Sequence, residues 1–165
     1  MSVRKLTRGA LLSAIALTIF MVEAQIPPVV PIPGVKLGLA NIVTVYAVFA
    51  LGGWEAAAIL TVRVILGAVF SGQLMALMYS AAGGALALLL TILLKKVLTE
   101  KQIWAAGVFG AIAHNIGQIA VAIAITRTPG LLAYLPVLMV SGIIAGLFTG
   151  CAAQAVVNRM RKIRK

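Results

Sequence analysis

The sequence predicts an all-α integral membrane protein of six transmembrane helices with both termini in the cytoplasm. Three observations carry that reading. Of 165 residues, 62% are hydrophobic and 10% charged, at a mean hydropathy of +1.12, far from the make-up of a soluble globular domain. Apolar stretches near the ~20 residues that a helix needs to cross the hydrocarbon core follow one another, broken by Pro, Gly or charged residues. The basic residues gather at the ends of those stretches, mostly on one side. A net charge of +11 in a soluble chain would suggest nucleic acid, but this placement is that of positive-inside flanks, and no nucleic-acid partner is expected.

The tail MSVRKLTR leads into a first span at about 9–26. A basic start, an apolar run and Val22-Glu23-Ala24 also have the form of a cleavable signal peptide; the reading taken is a retained span. From Leu37 to Ser71 the chain is almost uncharged, and as one helix it would measure roughly 52 Å, well beyond a bilayer. Gly52-Gly53 is the natural break, giving spans at about 37–51 and 54–70, with Trp54 at an interface. A fourth span at about 73–94 follows the Ser71-Gly72 turn, a fifth lies at 103–126 after the polar 95–101 loop, and a sixth at about 131–157 is kinked or begins at Pro136. All belong to one domain, 1–165. Arg4, Lys5, Arg8, Lys95, Lys96, Lys101, Arg159, Arg161, Lys162, Arg164 and Lys165 fall on one side against Lys36 and Arg127 on the other, which places both termini in the cytoplasm.

Between the first two spans runs EAQIPPVVPIPGVKLGLAN, with prolines at 27, 28, 31 and 33. Proline lacks a backbone donor and clashes with the preceding turn, so residues 27–36 are expected as a stiff outer loop. It is either a lid over a pocket mouth or a plain connector. Assigned by height, the polar intramembrane residues crowd the outer half and middle: Glu23, Asn41, Thr44, Arg63, Gln73, Tyr79, Ser80, His114, Asn115, Gln118 and Ser141. The inner half is nearly bare, as in LALLLTILL from Leu86 to Leu94. Polar groups in a bilayer face the bundle interior or a wet cavity, so the pattern predicts a pocket open outward and sealed below.

Arg63 near mid-membrane costs ~2.5–3.5 kcal/mol on insertion scales unless paired or hydrated; its partner is either Glu23 or an anionic ligand. His114, Asn115 and Gln118 are helical neighbours and form either a polar reading head or an interhelical cluster. The expected substrate-binding residues are Glu23, Lys36, Asn41, Arg63, Tyr79, His114, Asn115 and Gln118, with Lys36 and Arg63 for an anionic group and Tyr79 for stacking. Gly142, Gly146 and Gly150, and separately Ala10 and Ala14, make smooth strips on which a helix can pack closely.

No cofactor, metal or catalytic residue is expected. The chain has no aspartate and its glutamates stand apart at 23, 55 and 100, leaving no evident Mg²⁺ site. The one histidine and the one cysteine, Cys151, give no metal cluster, and no GxxxxGK loop is present.

The blocks E-x-x-I-P from Glu23, PGVKLGLANI from Pro33, R-x-x-L-G-type residues around Arg63, YS-x-x-GG at Tyr79–Gly84 and AHN-x-x-Q at Ala113–Gln118 resemble the Gx transporter family, also labelled heptaprenyl diphosphate synthase component I. More distantly, the topology, the long outer loop and Ala10-x-x-x-Ala14 resemble the substrate-binding S-component of energy-coupling factor (ECF) transporters. That likeness implies a vitamin pocket lidded by the first outer loop, a flavin-like ligand, and docking of the alanine strip on a membrane scaffold driven by ATPases. The alternative implied by the other label is a non-catalytic membrane subunit in prenyl diphosphate synthesis or transfer, with a prenyl-like ligand.

Overall fold

The computed structural model describes residues 3–27, 36–72 and 74–164. The expected lid, residues 28–35, and Gln73 lie outside the described residues. Among those described, the chain forms α1 (Val3–Glu23), α2 (Asn41–Ala50), α3 (Gly53–Ser71), α4 (Leu74–Lys95), α5 (Ile103–Thr126) and α6 (Leu135–Arg164), with 3-10 turns at Glu100–Gln102 and Pro129–Tyr134. Five of these helices are long and apolar enough to cross a membrane. The protein is thus an all-α, multi-pass membrane protein. Large apolar side chains such as Val69 on α3 and Ile144 and Phe148 on α6 are exposed, a surface suited to lipid and unlike that of a soluble monomer.

The second span departs from the sequence reading. Its helix begins at Asn41 rather than Leu37 and has 10 residues, ~15 Å of rise, about half the hydrocarbon thickness. The cause is Gly38, whose φ of 80° lies in a left-handed conformation that a right-handed helix cannot include. Residues 36–40 therefore stay non-helical and enter the bundle as a turn. The sixth span begins as an uninterrupted helix: Pro136 is the second residue of α6, where its missing N–H has no intrahelical partner to lose.

The helix ends alternate as an up-and-down bundle requires. Lys5 near the start of α1 meets Glu55 at the start of α3 at 3.4 Å. Lys95 at the end of α4 donates to Val48 O near the end of α2 at 2.6 Å. Arg161 of α6 pairs with Glu100, and Gln154 accepts from Ile103 N at 2.8 Å. All these contacts lie at one end of the bundle, hereafter the basic end, where Trp54 and Trp104 are also exposed.

The glycine strip on α6 is used within the chain. A Cβ on Gly146 would fall 2.6 Å from Val108 Cα on α5, and one on Gly117 would fall 2.8 Å from Ala82 O on α4. Backbones approach directly at these points, the close packing that small residues allow in membranes. Gly146→Leu is therefore expected to lower stability by about 1–3 kcal/mol through overpacking, whereas Gly9→Leu, with nothing within 4 Å of its Cβ, leaves it unlowered. Reversible unfolding in mixed micelles measures both.

Candidate functional site

The site is built where α1 ends and α2 begins. A helix that starts inside the membrane presents amide N–H groups that no water can satisfy. Ala40 at its N-cap offers no side-chain bond. Asn41, Ile42 and Val43 donate to Gly38, Leu39 and Ala40 carbonyls, and the amides of Gly38 and Leu39 go to Glu23. Gly38 N donates to Glu23 Oε1 at 2.6 Å and Leu39 N to Oε2 at 3.0 Å, charge-assisted bonds to a carboxylate that is itself buried. Glu23 thus folds the chain back under the end of α1.

A second bracket holds the same segment from α5. With its amide oriented to satisfy both ends, Gln118 donates to Lys36 O at 2.9 Å and accepts from Lys36 N at 3.3 Å and from His114 Nε2 at 3.2 Å. Gly38 is required sterically as well as conformationally. A Cβ there would fall 2.9 Å from both Asn41 Nδ2 and His114 Cδ2, so Asn41 and His114 meet across it.

Arg63 comes from the middle of α3 and is 2% exposed. Among the described residues the ion pairs are Lys5–Glu55 and Arg161–Glu100, and none joins Arg63 to Glu23. The expected pairing of those two is therefore a near neighbourhood and not a bond. Arg63 lies with its guanidinium carbon 5.8 Å from the centroid of Phe20, the ring that Lys36 Nζ approaches at 3.8 Å. Both are cation–π distances. Burial draws the Lys36 ammonium below the usual lysine value, Glu23 opposes this by attraction and Arg63 adds to it by repulsion. By formal charge, Glu23, Lys36 and Arg63 set two basic groups against one acidic group in this region.

Several buried polar atoms there have no hydrogen-bond partner among the described residues: Arg63 Nε and Nη2, both amide atoms of Asn41, and His114 Nδ1. Since His114 donates through Nε2, its Nδ1 is left as a bare acceptor. Native interiors seldom leave such groups without protein, water or ligand partners.

Not every expected residue joins this cluster. Asn115 faces α6, donating to Leu138 O at 2.5 Å, with its Nδ2 2.6 Å from where a Cβ on Gly142 would stand; its contacts are those of an interhelical tie. Tyr79 packs with Ile119, Ala122 and Leu138 in an apolar core, so its surroundings are those of a packing residue rather than of a stacking platform. Phe20 and the glycines at 38 and 84 were missed from sequence. Phe20 lies three residues before Glu23, on the same helical face, which is the one signal that could have found it; Gly84, whose added Cβ would stand 3.5 Å from Arg63 Nη2, gives none.

Away from this cluster the basic end is not the sealed floor that the apolar inner half suggested. A cleft of about 360 Å³ opens between α1, α2 and α6, lined by Arg8, Leu11, Tyr46, Phe49, Met160 and Arg161 among others. The reason is geometric: α1 packs mainly on α3, leaving space between α1 and the long α6.

Fold and site together define a multi-pass helical membrane protein with a buried, positively charged polar cluster near the membrane interior. The chain belongs to the heptaprenyl diphosphate synthase component I family, whose model matches residues 12–156. Among curated proteins and among solved structures nothing matches it. The family description implies a membrane component associated with heptaprenyl diphosphate synthesis and a second component as partner.

Glu23→Gln keeps the shape but removes the charge from the acceptor of the Gly38 and Leu39 amides. It is expected to lower the unfolding free energy by about 1.5–3 kcal/mol, and Glu23→Ala by more, in the same micelle unfolding assay.

Proposed function

We propose that the chain is the solute-binding subunit of a membrane transporter, similar in role to an S-component, which captures a small anionic ligand with an aromatic part, such as a flavin. The observation that carries this is Arg63: a guanidinium almost without solvent access, whose Nε and Nη2 have no partner among the described residues. A charge so placed is costly unless a counter-charge arrives, and a monoanionic group would balance the cluster of Glu23, Lys36 and Arg63. Asn41 and His114 supply a donor and acceptors beside it. Asn115, Gln118 and Tyr79 would shape the site from behind, as ties and packing.

The subunit is non-catalytic on this reading. It sits in a bacterial cytoplasmic membrane with both termini inside, and its energy comes from a partner. Ala10 and Ala14 are exposed on α1, which suits docking on an ATPase-driven scaffold. The family description favours a second reading, a non-catalytic membrane partner of a prenyl diphosphate synthase, whose ligand in the same cluster would be a diphosphate.

Thermal unfolding of the purified protein in detergent separates the two, with flavin mononucleotide and farnesyl diphosphate as probes. At ~100 times Kd a ligand adds about 2.7 kcal/mol, a Tm rise of several degrees. A rise with the flavin alone, abolished by Arg63→Ala, is expected. A rise with farnesyl diphosphate alone selects the second reading, and no rise with either removes the ligand-binding function. Ala10→Leu with Ala14→Leu is expected to abolish co-purification with an ATPase-bearing scaffold while leaving the flavin-induced rise unchanged.

A further inference from the structure

The cleft between α1, α2 and α6 has a chemistry different from that of the Arg63 cluster. Its walls are apolar: Leu11 and Leu12 from α1, Tyr46, Phe49 and Leu51 from α2, Val157 and Met160 from α6. Arg8 and Arg161 also line it, both within the basic flanks of the first and last helices. Leu11 and Met160 are largely exposed, so the cleft opens sideways toward the bilayer as well as toward the basic end. A lipid chain is the molecule at hand to fill such an opening, and basic pockets between transmembrane helices on the cytoplasmic side recruit phosphate-bearing head groups.

The charge in this region is unbalanced. Arg161 is paired with Glu100 and Lys5 with Glu55. No carboxylate pairs with Arg8 among the described residues. Arg4 and Arg159 add further positive charge in the same flanks. At about 360 Å³ the cleft is near the lower end of the range for small-molecule sites, enough for one chain and not for a whole two-chain lipid.

We propose that this cleft binds one anionic phospholipid of the leaflet at the basic end, with one acyl chain lying between α1 and α6 and the phosphate held by Arg8 and Arg161. Arg8 contributes more than Arg161, because Glu100 already engages the latter. The lipid fills the gap between α1 and α6 beside the C-terminal half of α2.

The test is lipid retention by the full-length protein, reconstituted in nanodiscs of equal phosphatidylglycerol and phosphatidylcholine and read by native mass spectrometry after release. Wild type is expected to keep phosphatidylglycerol over phosphatidylcholine. Arg8→Gln is expected to weaken that retention about fivefold, the equivalent of ~1 kcal/mol at a charged membrane surface; Arg161→Gln does so by less, and Arg8→Lys largely restores it. Leu11→Trp, at an exposed position, obstructs the chain slot and lowers retention of both lipids without changing the unfolding midpoint in detergent. Equal retention of the two lipids by wild type, or undiminished phosphatidylglycerol in Arg8→Gln, overturns the proposal. So does displacement of phosphatidylglycerol by equimolar farnesyl diphosphate, which would assign the cleft to a prenyl diphosphate.

Discussion

The structure depends on how a helix of 10 residues is held inside a bilayer. α2 begins within the bundle, so the amides at its start must be satisfied by protein. Glu23 accepts the amides of Gly38 and Leu39 at its N-terminal side, and Lys95 donates to Val48 O at its C-terminal side. A carboxylate at the positive end of the helix and an ammonium at the negative end also match its macrodipole, and the interaction is stronger where the dielectric is low. The two residues come from opposite ends of the bundle, the last residue of α1 and the last of α4. By fixing α2 they bind together the half of the molecule in which α1, α3 and α4 meet.

The polar cluster follows from that arrangement. Once Glu23 is committed to backbone amides it no longer serves as a direct counter-ion for Arg63, and the guanidinium is left with an aromatic face and no carboxylate bond. Gln118 and His114 brace the returning segment from α5, so that Lys36 is held near Arg63 by backbone contacts and Asn41 is brought up to His114. Glycines make the room. At Gly38 the side chains of Asn41 and His114 occupy volume that a Cβ would need, and at Gly84 that of Leu60 does, with Arg63 Nη2 in ordinary contact beside it.

The other end of the bundle is shaped by which helices pack together. Tight backbone contact through Gly107, Gly146 and Gly150 joins α5 to α6, while α1 packs mainly on α3, and the space between α1 and α6 is covered only by the end of α2. Among the described residues, a buried polar cluster thus stands at the start of α2 and a mostly apolar cleft at the basic end. Their opposite chemistry follows from the opposite surroundings.

Much of this was legible from residues alone. Hydropathy and the breaks at Gly52-Gly53 and Ser71-Gly72 place the helices, because a bilayer admits few backbone solutions. The depth of the polar residues points to Glu23, Asn41, Arg63, His114 and Gln118, because hydrocarbon penalises every unpaired polar group. What each group faces was not legible. Pattern gives the height and face of a side chain on its own helix but not the partner helix, so Asn115 and Tyr79, adjacent in depth to the cluster, turn out to be a tie to α6 and a core residue. The truncation of α2 rests on the left-handed turn at Gly38 and on Glu23 receiving its amides from 15 residues away in sequence, a long-range contact that no local pattern encodes. The sequence by itself determined the class and the residues too costly to leave unpaired; only the tertiary structure decided where α2 begins and which polar residues were paired, since pairing in a low-dielectric interior is set by distances of a few ångströms between helices.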